Sequence, residues 1–112
     1  MSHLISHSEV VIADGQTVQT GSVDTIGYLV SGIIIPTGFE GTTLTFQACD
    51  TDDGTFLDVV NSSGTAVSMT VAASTHVVFE PQTFAGARYL KLVAGTAQTG
   101  NITLNLVLHR EE

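Results

Sequence analysis

GTTLTFQACDTDDGTFLD, residues 41–58, reads as a β-hairpin with an acidic tip. Leu44, Phe46 and Ala48 alternate with Thr43, Thr45 and Gln47, the period-two pattern of a strand with one face buried. Asp53-Gly54 then supplies a pair that tolerates the positive φ angles of a tight turn, and Phe56 resumes an apolar pattern. On this alternation Cys49 shares the polar face with Thr45 and Gln47. It is the only cysteine, so no disulfide forms within the chain.

Working outward from the hairpin, the same punctuation recurs. Strands are expected at residues 9–13, 18–23, 28–35, 42–49, 55–60, 66–71, 75–79, 89–93 and 102–109. Asp14-Gly15, Thr37-Gly38, Ser63-Gly64 and Thr99-Gly100-Asn101 supply turns between them. No segment carries a helical period. Short strands at this spacing predict an all-β fold, a single antiparallel β-sandwich of jelly-roll-like type with eight to nine strands. In the last strand Ile102, Leu104, Leu106 and Leu108 should face the core, with Val107 an apolar exception on the outer face. Residues 83–88 should cross between the two sheets.

Composition agrees with one domain. The 112 residues hold 43% apolar but only 12% charged side chains, about half the usual charged share. A domain this poor in charge is expected to cover part of its surface with another molecule, often a copy of itself. The net charge of −8 disfavours nucleic acid and anionic membranes, which require clustered Lys and Arg. No window approaches the ~18 apolar residues of a membrane-spanning helix. The N-terminus lacks the basic and apolar regions of a signal peptide, so synthesis in the cytoplasm is expected.

Two segments break the alternation. Val10, Val11 and Ile12, and Ile33, Ile34 and Ile35, are apolar on both faces, as in strands covered from both sides. The cover is either the opposing sheet and loops or a neighbouring subunit, and these six residues with Arg88 are candidate interface residues. Residues 1–8 have no strong strand pattern and are expected to form an N-terminal arm before a domain at 9–112.

The residues with possible chemistry are sparse. Asp50, Asp52 and Asp53, with Asp58 nearby, could offer oxygen ligands to Ca²⁺, but their spacing is not that of an EF-hand and no Glu stands at the twelfth position. A solvated turn is the expectation. His3, His7, His76 and His109 are too scattered in sequence for a zinc set. Ser62, Ser63 and Asp24 have no base at a recognisable spacing. Arg88 is expected to pair with Asp58 or Glu80, or with an acid across an interface. No enzyme, metal or cofactor is expected.

The order of segments resembles a family of small β-sandwich proteins encoded among the structural genes of tailed bacteriophages. The matching pieces are SGIIIP (31–36), LTFQA (44–48), DGTF (53–56) with DVV (58–60), FAGARYLKL (84–92) and ITLNLVL (102–108). The resemblance implies a virion component. Its most concrete form is a capsid decoration (cement) protein on the outer head, bound to the major capsid protein as a homo-oligomer, with a trimer favoured. A tail or head–tail junction protein is the first alternative. The hairpin also resembles that of galactose-binding-like sandwiches, which leaves open a carbohydrate-binding module, although there is no Trp and only two Tyr to stack on sugars.

Overall fold

The computed structural model describes residues 5–110, with the exception of the Pro81 side chain. Ten strands appear in chain order: β1 Ile5–Ile12, β2 Gln19–Thr20, β3 Val23–Asp24, β4 Tyr28–Ile35, β5 Thr43–Cys49, β6 Leu57–Asp58, β7 Ser68–Thr70, β8 Thr75–Val78, β9 Tyr89–Ala94 and β10 Ile102–Arg110. They form two antiparallel sheets packed face to face. Sheet one runs β2-β1-β10-β4-β8, and sheet two runs β3-β9-β5-β6 with β7 also paired to β5. This is the expected all-β sandwich.

Alternation builds the core between the sheets. Val10, Ile12, Val30, Ile33, Ile35, Leu104, Leu106 and Leu108 point inward from sheet one, and Leu44, Phe46, Leu90, Leu92 and Ala94 meet them from sheet two. Ile102, expected inside, is half-buried and packs against this cluster. Phe84 closes one end, its ring 4.6 Å from Phe46 and 5.6 Å from Phe79, both edge-to-face. Such pairs add about 0.5–1.5 kcal/mol beyond area burial. Phe84 sits on the crossing between β8 and β9, where residues Pro81–Phe84 make a single 3₁₀ turn with the proline at its start.

Several boundaries differ from the sequence expectation. Residues 5–8, assigned there to an arm, extend β1 and pair with β10 in the register Ile5↔His109 to Ser8↔Leu106. Their inward side chains are Ser6 and Ser8, so the apolar alternation is missing although the backbone ladder is complete. Residues 1–4 of that arm lie outside the described residues. The expected strand at 18–23 is divided into β2 and β3 at Gly21, whose φ of +78° no strand accommodates. The two halves then join different sheets.

The decisive hairpin is also built differently at its tip. β5 and β6 pair only at Gln47↔Asp58 and Ala48↔Leu57, so residues 50–56 form a wide connection rather than a two-residue turn. Gly54 is absent from the glycines with positive φ. What requires glycine there is space: a Cβ would lie 2.5 Å from both Cys49 Sγ and Thr51 Oγ1.

One further irregularity shapes sheet one. Between β4 and β10 the register passes from Val107↔Gly32 to Leu108↔Val30, leaving Ser31 as the extra residue of a β-bulge. Its hydroxyl donates to the Val107 carbonyl at 3.4 Å. The bulge keeps Val30 and Ile33 both facing the core.

Candidate interaction surface

The two outer faces of the sandwich differ in chemistry. On sheet two, Thr43, Thr45, Gln47 and Cys49 of β5 stand beside Tyr89 and Lys91 of β9 and Asp58 of β6. This face is polar and charged. Gln47 Nε2 donates to Asp58 Oδ1 at 3.4 Å, and the Lys91 ammonium lies 4.6 Å from the centre of the Phe56 ring.

Sheet one turns a different surface outward. Its cross-strand rows are Ile5–His109–Leu29, His7–Val107–Gly32–Val78, Glu9–Asn105–Ile34–His76 and Thr20–Val11–Thr103. Paired residues share a face, and the inward positions of these strands belong to the core, so these rows line the outside. Ile5 is 59% exposed, Val11 36% and Val78 76%, with Leu29 and Ile34 half-buried. Val107 is only 8% exposed although it faces outward. Gly32 beside it leaves the space in which the His76 ring lies, Nε2 being 3.4 Å from where a Gly32 Cβ would stand and Val107 Cβ 3.5 Å.

Glu9 is the one carboxylate that the strands of sheet one place on this face. The other described acids, Asp14, Asp24, Glu40, Asp50, Asp52, Asp53, Asp58 and Glu80, lie in sheet two or in connections. On a chain of net charge −8, this is a nearly charge-free, partly apolar surface.

The candidate interface residues are divided by this geometry. Val10, Ile12, Ile33 and Ile35 are fully buried in the sandwich core, so the opposing sheet covers them. Only their alternates Val11 and Ile34 reach the outer face. Strand periodicity forces the division, because consecutive residues cannot share a side. Arg88 pairs with neither Asp58 nor Glu80 but with Asp24, Nε to Oδ1 at 3.2 Å and Nη2 to Oδ2 at 3.4 Å. The register Asp24↔Tyr89 on β3 and β9 makes Asp24 its neighbour. That guanidinium, with the Ile26 N–H, holds the Asp24 carboxyl below the usual carboxylate range. Arg88 also lies 5.0 Å from the centre of the Tyr89 ring.

The other candidates form no site. Asp50, Asp52 and Asp53 are exposed on the hairpin connection, and among the described residues no three His, Cys, Asp or Glu side chains converge to hold a metal. Cys49 Sγ stands 3.9 Å from Thr51 Oγ1. Ser62 and Ser63 belong to a turn organised by Asn61 Oδ1, which accepts from the N–H groups of Ser63 and Thr65. His7, His76 and His109 share the outer face of sheet one, a grouping hidden in the sequence because it depends on the register of β1, β4, β8 and β10. His3 lies outside the described residues.

A shallow groove of about 400 Å³ runs between the β5–β6 hairpin and the β8–β9 crossing, lined by Ala48, Leu57, Val59, Phe84 and Asp58 among others. Leu57, 68% exposed, forms its rim. Comparison with protein-family models, curated proteins and solved structures finds no match to this chain.

Proposed function

We propose that this chain is a structural protein of a tailed-phage virion, most concretely a decoration protein that binds the major capsid protein and stabilises the head. The observation that carries the reading is the outer face of sheet one. On an acidic, charge-poor domain it offers Ile5, Val11, Leu29, Ile34 and Val78 with, among the described residues, a single carboxylate, Glu9. Burying such a face releases apolar surface from water at about 25 cal/mol per Å² and desolvates little charge. The resemblance in the order of SGIIIP, LTFQA, DGTF and FAGARYLKL supports the same reading.

The mechanism is contact without chemistry. An interface of ~1,600 Å² has the standard size of a specific complex, and many copies on one lattice add avidity. A ligand that binds only the assembled shell stabilises that shell by mass action. Deleting the gene should therefore make heads inactivate sooner on heating while host adsorption stays normal. Purified wild-type protein added back should restore heat resistance, and Val11→Glu, which places a charge on the exposed face, should not. Normal heat survival combined with impaired adsorption would overturn the reading in favour of receptor binding.

A further inference from the structure

Strand β8, Thr75–Val78, ends sheet one and, among the described residues, pairs only with β4. The Phe79 N–H donates to the Ser31 carbonyl at 3.1 Å, and Val77 lies opposite Ile33 two residues earlier. In an antiparallel ladder, hydrogen-bonded positions alternate. Val77 and Thr75 therefore bond to β4, while the N–H and C=O groups of His76 and Val78 point away from the sheet. Edge strands are normally guarded by Lys, Pro, a bulge or extreme shortness. The sequence THVV has no charge and no proline, and its register on β4 runs without a shift. The edges at β2, β3 and β6 are two residues long, and β7 has three.

We propose that β8 is a self-pairing edge. Two copies of the chain join β8 to β8 antiparallel, across a two-fold axis at Val77, and continue one five-stranded sheet into the other. His76 then lies opposite Val78 of the second copy, and each exchanges N–H···O=C bonds with the other, so every outward backbone group of both strands gains a partner. The symmetry of the antiparallel pair makes a second copy a complete fit. Charge agrees: two bodies of −8 meet along a strand with no formal charge. The flanking acid, Glu80, falls opposite Ser74 of the second copy. The two Glu80 residues stand roughly 20 Å apart at ~3.4 Å per residue, about two screening lengths. Val78, at 76% the most exposed of the described large hydrophobic residues, gains cover beside His76 of the second copy.

The pair is two-fold, in place of the trimer expected from the sequence, and it stands independently of the virion reading. Four-residue edges make a small interface, so dissociation constants of about 10–100 µM are expected in solution, strengthened by avidity on any lattice. Sedimentation of the full chain across about 10–500 µM, a span that brackets such affinities, should show a monomer–dimer equilibrium of the 11.7 kDa chain. Val78→Pro removes only an outward N–H, which edge positions tolerate, and Val78→Lys installs the usual guard. Each should weaken dimerisation by at least about tenfold, since each dimer loses its bonds or cover twice. Monomer circular dichroism and melting should be unchanged. If Val78→Pro fails to fold, Val78→Lys decides. A wild type that stays monomeric, forms trimers, or dimerises equally well as Val78→Lys would overturn the proposal. A monomeric wild type that still restores heat resistance to heads would remove the dimer and leave the decoration reading standing.

Discussion

Replacing Gln98 by alanine tests how the loops at one end of the sandwich are held. The Gln98 side chain is buried, and its Oε1 accepts from the Glu40 N–H at 3.0 Å. Its Nε2 donates to the carbonyls of Glu40 and Thr96, both at 2.9 Å. The backbone of the same residue bonds Gln16 and Gly15, so one residue links the connections after β1, β4 and β9. Gln98→Ala leaves three backbone groups without partners, each worth about 1 kcal/mol. Glu40 and Thr99 beside it are exposed, so water partly replaces the lost bonds and a loss of about 2–3 kcal/mol is expected. In a domain of this size that lowers Tm by roughly 8–15 °C. Gln98→Glu sharpens the test. It keeps the shape and one acceptor but turns a carboxylate oxygen toward two carbonyls, which raises the folded-state pKa above the unfolded value of about 4.3. The stability of Gln98→Glu should be best below pH 4 or so and fall as pH rises through the raised value. Thermal melts of wild type and both variants from acid to neutral pH provide the assay. A loss under about 0.5 kcal/mol for Gln98→Ala, or a pH-independent loss for Gln98→Glu, would refute the clamp.

Two further outcomes follow from local geometry. Gly54→Ala should destabilise by about 1–3 kcal/mol, the cost of overpacking, because its Cβ meets Cys49 Sγ and Thr51 Oγ1; Cys49→Ala in the same chain should recover part of that loss in a double-mutant cycle, and additive effects would show that the contact is not the cause. Asp24→Asn should be slightly less stable than wild type at pH 7, since Arg88 favours the charged carboxylate; the depressed folded pKa means that this advantage is present above the unfolded value of about 3.9 and fades as pH falls through the lower folded one, so a melting difference that grows in acid would contradict the pairing.

What could be read from the sequence was whatever period two encodes. Leu44/Phe46, Leu90/Leu92 and Leu104/Leu106/Leu108 alternate with polar residues, Val107 excepted, and all face the core. The strand at 28–35 kept its expected bounds although Ile33, Ile34 and Ile35 break the alternation. What escaped depended on pairing between distant segments. Ser6 and Ser8 give β1 no apolar signal, yet β10 supplies its ladder. Asp53-Gly54 carried a turn signature, yet Gly54 takes no positive φ, and the closeness of Cys49 Sγ and Thr51 Oγ1 to it had no local signal. The partner of Arg88 was set by the β3–β9 register, which places Asp24 on the adjoining strand. The shared face of His7, His76 and His109 had no local signal, because each histidine lies on a different strand.

The pairing of β1 with β10 determines when this chain can fold. The ladder between them runs from Ile5↔His109 to Ile12↔Ile102, so the first described strand waits for the last to leave the ribosome. Until then β1 has only the two-residue β2 beside it, at Val11↔Thr20 and Ile12↔Gln19, and β4 lacks the strand that separates it from β1. Loop closure over nearly the full length must precede the contacts that reward it, which places folding in the millisecond-to-second range of sandwich topologies. Folding is thus all-or-none: a nascent chain stopped before residue 102 should remain open to proteases along its whole length, with no protected N-terminal fragment.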